Sequence, residues 1–507
     1  MVSGIATTLG ERRLVQRYAV PGWMIAECAD ARERGDWRAA CEAARVTVAF
    51  DDPGPVADLL AGFAPDLLRW HLPRSGSGDG GLATGLTYVL APDGPVGPAS
   101  MVLTVRSPDW VTGSQRLTLD AVRFADLSGP IYPLAPQLWD NRRVGDVRND
   151  LCAAGLPLCS PTVYRPTAEL CSTCDRACQR RPNGPLRAWT ATGWQIDESA
   201  SDHWPPWDVD GLSRVDPRLA ARELRRIVAT FGIRSCELGD GRARRRPYDW
   251  SRACLDLTVD GPRIAPMAGQ PSDSGTPGVV ICLHPALLRI PADVDLISRD
   301  RIGTADLHPL VRAALFPGVD SGGDHSDRDA AVPAGVEHDQ RIRVRCGGRW
   351  HWIRVRDGRL ELLDHSEAER RREHALRAFG GRLSGCFRAE LAWKEGTPGV
   401  PRRLLAQRRD LWRRMQHGGS RVVLALLDAG MSPHIRDLHR RTLLHRLHQF
   451  EHAELLPRLL AEGLDVNAIS GWGYTPMCEA LVHGAPADLL VALHEAGAYP
   501  PLSSPGG

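Results

Sequence analysis

Three cysteines lie within eight residues in the pattern Cys171-x-x-Cys174-x-x-x-Cys178, and Cys159 lies upstream of them. Thiolates at this spacing can converge on one ion, so the group can supply four ligands for tetrahedral zinc or for an iron–sulfur cluster. The segment lacks the second Cys-x-x-Cys pair that is typical of zinc ribbons. On a helix the three closely spaced cysteines would share one face and could pack as small apolar side chains without metal. The sequence therefore predicts either a zinc site or a buried stripe of thiols here.

Histidines are frequent near the carboxyl end of the chain. His445, His448 and His452 follow one another at helical spacing. Others nearby are His434, His439, His483 and His494. Clustered imidazoles can bind zinc, but polar surface positions account for the same residues without a metal, and we favour structural and surface roles.

Arginine is almost the only cation, because Lys394 is the single lysine among 63 basic residues in a chain of 507. P-loop proteins, protein kinases, Schiff-base enzymes and pyridoxal-phosphate enzymes each need a lysine in a defined context. Lys394 lies in Ala-Trp-Lys-Glu-Gly, which matches none of these contexts. The His-Glu-x-x-His and Gly-x-Ser-x-Gly motifs of zinc proteases and hydrolases do not occur either. These enzyme classes are therefore not expected, although spacing says nothing about a cysteine nucleophile with a distant histidine.

Positive charge is concentrated between residues 338 and 415. This segment holds 20 basic and 10 acidic residues, whereas the whole chain has a formal net charge of +2, so the rest carries −8. Trp350 and Trp352 lie among the arginines, a combination that can bind nucleic acid by phosphate contacts and base stacking. A solvated face, or internal pairing with the acidic remainder, explains the same pattern, and we favour it.

These residues need elements to position them, and the N-terminal patterning predicts a mixed region. Residues 1–50 are expected to form a helical hairpin, with Asp36 as the cap of its second helix. Residues 51–335 are expected to form an α+β region. Within it we predict an amphipathic helix from Pro217 to Phe231 and strands over 86–90, 101–105 and 116–119. The segments dense in Gly, Pro, Ser and Asp predict loops over 260–278 and 317–335.

A small β-β-β-α unit is predicted over 338–400. Apolar residues alternate with arginines in three short runs, which are separated by Gly347-Gly348 and by Asp357-Gly358. These pairs supply the positive φ angles of two-residue hairpin turns, so the runs predict an antiparallel meander. Ser366 and Glu369 then form a capping-box signature for a helix.

The last hundred residues contain an internal repeat. Thr442-Leu443-Leu444-His445 recurs 33 residues later as Thr475-Pro476-Met477-Cys478. A glycine after a Leu-Leu pair recurs in the same way at Gly430, Gly463 and Gly497. The threonines can cap a first helix, and the glycines can take the left-handed conformation that ends a second helix. This fixed period predicts stacked helical repeats over 402–507, because one such repeat cannot bury its own apolar side.

The period and its motifs resemble the ankyrin repeat, and Asp465-Val466-Asn467-Ala468 also matches that family's turn. The resemblance implies about two good repeats plus a divergent leading one, and binding of another protein through hairpin fingers at 431–441 and 464–474. The implied partner-binding residues are Trp472, Tyr474, His434, Arg436, His439 and Arg440. Trp472 and Tyr474 come first because aromatic residues are frequent interface anchors, although Trp472 can also pack across the base of its finger.

The sequence thus predicts a multidomain α+β protein with a mixed N-terminal α/β region, a small antiparallel β-meander plus helix unit, and a C-terminal α-helical ankyrin-repeat stack. The whole chain is similar in architecture to long actinobacterial ankyrin-repeat proteins, a resemblance that implies no activity. No apolar run is long enough for a signal peptide or a membrane span, so we expect a cytoplasmic protein.

The leading hypothesis is a protein that recruits a partner protein through its repeats, without a cofactor unless the cysteines bind zinc. One alternative is an enzyme or effector whose catalytic or metal-dependent N-terminal region is targeted by the repeats. A weaker alternative is nucleic-acid binding by the arginine-rich segment 338–415.

Overall fold

A computed structural model shows a mixed α/β protein with a large mixed sheet and a C-terminal helical region. The chain divides into two compact units, one formed by residues 1–109 and 116–324 and the other by residues 110–115 and 325–507. The residues that the structure describes are 9–76, 78–153, 184–197, 212–213, 215–239, 253–266, 278–317, 341–381, 383, 385–397 and 401–499.

The first unit begins with the predicted helical hairpin, α1 (Gly22–Glu33) and α2 (Trp37–Ala43). Asp36 caps α2, since its carboxylate accepts a hydrogen bond of 3.0 Å from the backbone N–H of Ala39. The helix predicted from Pro217 to Phe231 is also confirmed. The remaining helices of this unit are α3 (Ala57–Gly62), α4 (Pro65–His71), α5 (Asp146–Ala153), α6 (Gly184–Ala191), α7 (Pro217–Phe231), α8 (Ala292–Ser298) and α9 (Pro309–Leu315).

Ten strands of the first unit form one mixed sheet. They are β1 (Val46–Val48), β2 (Thr87–Leu90), β3 (Met101–Arg106), β4 (Leu117–Arg123), β5 (Gly129–Leu134), β6 (Gln195–Ile196), β7 (Ser235–Leu238), β8 (Ala253–Thr258), β9 (Gly261–Pro266) and β10 (Val279–Leu283). Their order across the sheet is β1-β4-β3-β2-β5-β10-β7-β8-β9-β6. The central run from β2 through β5 and β10 to β7 is parallel. The three strands predicted before residue 120 correspond to β2, β3 and β4.

The sheet is buried on both faces, which explains why its strands are short continuous apolar runs. On β2, Tyr88 and Leu90 belong to the core that contains Leu67 of α4. Val89 points to the opposite face and belongs to the core that contains Leu224 of α7.

The loop predicted over 260–278 is wrong in its first part. Gly261–Pro266 forms β9, which pairs antiparallel with β8 along its whole length. Pairing with a neighbouring strand overrides the glycine- and proline-rich composition that predicted a loop. The rest of that segment up to 277, and most of the loop predicted over 317–335, lie outside the described residues.

The second unit contains the predicted meander. Strands β11 (Ile342–Cys346), β12 (Arg349–Arg356) and β13 (Arg359–Leu362) pair antiparallel in sequence order. Helix α10 (Glu367–Ala378) begins with the predicted capping box, and α11 (Gly385–Glu395) follows it. These three strands and two helices are called the meander unit below.

The C-terminal region consists of helices joined by tight turns. Helix α12 (Arg402–Asp428) is broken at Gly419, which has φ 71°. A 3-10 helix then spans Leu444–Gln449, and the further helices are α13 (His452–Ala461), α14 (Pro476–Val482) and α15 (Ala487–Glu495). The three glycines predicted to end helices have positive φ angles of 94°, 78° and 88°, which confirms their left-handed conformation.

The C-terminal helices pack directly on the meander unit. The Arg408 guanidinium, 1% exposed, donates a hydrogen bond to the carbonyl of Ala392 at 2.9 Å. The backbone N–H of Arg436 donates to the carbonyl of Lys394 at 2.8 Å. This packing is the docking that a stack too short to be stable alone requires.

Within the described part of the chain, no helix combines the length and apolar character needed to span a lipid bilayer.

Candidate functional site

The cysteines predicted as metal ligands, Cys171, Cys174, Cys178 and Cys159, lie outside the described residues. Another group of metal-binding side chains converges in the meander unit. It consists of Cys346, His351, His365 and Cys386, and one ligand atom from each lies within 4.8 Å of the ligand atoms of the other three. These four residues are called the Cys/His cluster below.

The hairpin of β11 and β12 places the first two members. Cys346 is the last residue of β11, and His351 follows the turn on β12, opposite Val344. Because side chains alternate across a strand, Cys346, Val344 and His351 share one face of the sheet. The two-residue turn made by Gly347 and Gly348, with φ angles of 56° and 83°, therefore fixes the register of both ligands.

Close backbone contact places Cys386. Gly385 has φ 48°, and a Cβ atom there would lie 2.5 Å from both Cα and Cβ of Cys346. Only glycine allows α11 to approach the end of β11 so closely. The next residue, Cys386, is 0% exposed and directed at Cys346, which is 6% exposed.

The two imidazoles meet at the same point. The Nδ1 of His351 and the Nε2 of His365 lie 2.7 Å apart. The other nitrogen of His365, Nδ1, lies 3.7 Å from a carboxylate oxygen of Glu369. That oxygen is fixed by the backbone N–H of Ser366 at 2.8 Å. Burial lowers the pKa of His365, and His351 lowers it further.

The two thiols are adjacent in a dry environment. Burial raises the pKa of Cys386 to about 12, and the nearby Cys346 adds to that shift. A cation placed between the thiols would favour the thiolate forms, which are the forms that bind metal. Sequence reasoning missed this cluster because its members are separated by 4, 13 and 20 residues, spacings that match no known motif. The Gly347-Gly348 hairpin was the one signal that could have brought Cys346 and His351 together.

A second candidate site lies on the two predicted fingers, 431–441 and 464–474. Four large apolar side chains are exposed there, and together they form what we call the finger surface: Leu438 44%, Ile469 61%, Trp472 56% and Tyr474 44%. The ring of Trp472 lies 4.2 Å from that of His439, and the Arg441 guanidinium lies over its face at 5.1 Å. Trp472 thus packs across its finger and is also more than half exposed.

The other predicted partner-binding residues lie around this surface. His434 and Arg436 line a groove of about 450 Å³ that also includes Ile469. Arg440 is exposed and takes a positive φ of 58°. Arg436 donates hydrogen bonds to the carbonyls of Arg440 and Ile469, so it holds the two fingers together.

The C-terminal histidines have roles other than metal binding. His445, 0% exposed, accepts from the backbone N–H and hydroxyl of Thr442 through Nδ1, and its Nε2–H donates to the carbonyl of Tyr474 at 3.0 Å. His448 stacks on His483 with ring centroids 4.5 Å apart.

A His–Asp pair in the first unit has the composition of a catalytic dyad. The Nε2 of His308 lies 3.1 Å from Asp66, which also pairs with Arg32 at 2.5 Å. The Nδ1 of His308 accepts from the backbone N–H of Leu310, and both His308 and Asp66 are 0% exposed. Both ring nitrogens are therefore engaged in a solvent-inaccessible contact that joins three elements, so the pair is structural.

The two candidate sites differ in kind. The Cys/His cluster is an inward-facing set of metal ligands, whereas the finger surface is an exposed set of apolar and basic side chains. No protein-family model matches this chain, and no curated protein or solved structure matches it significantly.

Proposed function

We propose that this chain is a protein-binding protein that holds its partner on the finger surface of a short, ankyrin-like stack. The observation that carries the proposal is the exposure of four large apolar side chains on two adjacent turns. Exposed apolar residues are common when scattered, but a contiguous group rimmed by polar residues marks an interaction site.

Bonds that repeat from one turn to the next support the ankyrin-like interpretation. The side chain of Asn467 donates to the carbonyl of Gly497 and accepts from the backbone N–H of Tyr499, both at 2.9 Å. His445 makes the corresponding link one repeat earlier. Such nearest-neighbour contacts are how stacked repeats gain stability.

The charge around the finger surface indicates the chemistry of the partner. His434, His439 and Arg440 are exposed beside the apolar group. The acidic Asp437 is buried and already pairs with Arg441 and Arg446. We infer that the partner presents an apolar side chain flanked by carboxylates, since these would fill the groove and pair with the exposed cations.

The test is quantitative affinity purification with the Trp472→Ala/Tyr474→Ala double variant of the full-length chain. Removing two aromatic anchors should lower partner recovery by about 10-fold or more. Trp350→Ala is the matched control, because Trp350 is 59% exposed but lies on the meander unit, and it should leave recovery unchanged.

Equal recovery with the double variant and the wild-type chain would contradict the proposal. Point substitutions are sharper than removing residues 401–507, because that deletion would uncover Trp393, which is 2% exposed and packs against Arg408.

A further inference from the structure

The Cys/His cluster has the ligand set of a metal centre. Two sulfur and two nitrogen donors come from four separate places in the meander unit: the end of β11, the middle of β12, the residue His365 after β13, and the start of α11. Their ligand atoms lie within 4.8 Å of one another. Tetrahedral zinc with ordinary Zn–S and Zn–N bonds needs donors about 3.3 to 3.8 Å apart, which small side-chain rotations supply.

The surroundings orient the ligands as well as supply them. The Nε2 of His365 points at Nδ1 of His351, while its opposite nitrogen faces Glu369. A carboxylate behind a histidine is the usual partner that sets the ring's orientation at a metal centre. Glu369 is itself held by the capping box of α10, so its position is fixed independently of any ligand.

We propose that Cys346, His351, His365 and Cys386 bind one structural zinc ion. Two thiolates and two imidazoles favour zinc over magnesium or calcium, which prefer oxygen ligands. The protein fills all four positions of a tetrahedron, so the centre is closed and structural rather than catalytic. It ties α11 to the three strands, across 39 residues between the first and the last ligand.

The first measurement is the metal content of the full-length protein, purified without chelators from zinc-supplemented cells. Cys346→Ser/Cys386→Ser should lose about one zinc ion per chain relative to the wild-type chain. Cys478→Ser is the matched control, because this half-buried cysteine lies in α14 outside the cluster, and it should retain the wild-type metal content. Cys174→Ser tests the sequence-predicted cysteines separately, and it should not change the loss caused by the double substitution.

A second variant covers the case in which the double substitution does not fold. His351→Cys keeps four ligands, so it should retain the metal. After cobalt(II) replaces zinc, the visible bands of this variant should move to lower energy than those of the wild-type protein, because a thiolate replaces an imidazole.

Three results would overturn the proposal. One is a folded wild-type protein whose metal content equals that of the double variant. Another is an unchanged cobalt spectrum in His351→Cys, and the third is a disulfide between Cys346 and Cys386 in the freshly purified protein.

Discussion

His448 shows how a single buried base makes the C-terminal region sensitive to acid. It is 7% exposed, and burial lowers its pKa well below 6.5, with His483, Arg446 and Arg441 lowering it further. The folded chain therefore keeps the ring neutral, whereas the unfolded chain protonates it near its ordinary pKa. Because the unfolded state then binds more protons, the stabilisation is present above about pH 6.5 and is lost as the pH falls.

We expect the free energy of unfolding of the wild-type chain to decrease by up to about 1.4 kcal/mol per pH unit below pH 6.5 on account of this residue. His448→Phe, which retains a stacking ring without a titratable nitrogen, should flatten the dependence. Urea denaturation between pH 5 and 7.5 measures both slopes. His434→Gln is the control, because His434 is exposed, and a steep slope that persists in His448→Phe would contradict the assignment.

At the scale of elements, Gly385 decides whether α11 can reach the sheet. A side chain there would meet the backbone of Cys346 at 2.5 Å and the carbonyl of Arg345 at 2.6 Å. Gly347 has a similar φ of 56°, but a Cβ atom there would have no neighbour within 4 Å. The two glycines therefore separate the effect of close contact from the effect of a left-handed backbone.

Gly385→Ala should destabilise the chain by about 3 kcal/mol, because strain in the left-handed region adds to overpacking. Gly347→Ala should cost only about 1 kcal/mol, because only the backbone strain applies. Urea unfolding of the two variants measures the difference. Similar losses in both would show that α11 can shift to accommodate the methyl group.

The meander and the cluster that it carries were not equally predictable. Two hairpin turns and three alternating runs fix the strands and their register locally, so the meander unit could be predicted from the sequence. Cys386 approaches Cys346 only through a helix that follows 38 residues later, and no local signal encodes that contact. The sheet of the first unit was likewise only partly predicted, because β9 and β10 depend on pairing between distant segments.

At the scale of the whole molecule, charge is distributed unevenly and much of it is paired locally. Within the segment of net charge +10, Arg354 pairs with Glu361 at 2.6 Å and Arg377 with Glu395 at 2.7 Å. On the outer face of the meander, Arg343 lies 5.4 Å from Trp350 and 5.3 Å from Trp352, so it already contacts both aromatic faces. These contacts occupy groups that nucleic acid would need.

We therefore expect weak binding of single-stranded nucleic acid, with elution from a DNA column by about 0.2 M salt. Trp350→Ala/Trp352→Ala should elute at the same salt concentration as the wild-type chain. Later elution of the wild-type chain, together with loss of retention in this variant but not in Trp472→Ala, would establish nucleic-acid binding by the meander unit instead.

The break at Gly419 bears on how this protein can be inherited and engineered. The part of α12 before Gly419 packs on the meander unit through Arg408 and Leu411, whereas the part after it begins the C-terminal stack. One continuous helix thus serves two neighbouring structures, and residue 402 is not a natural cutting point. A transferable cassette would have to begin near residue 341, so the strands and the stack are expected to move between proteins together, as a single exchangeable part.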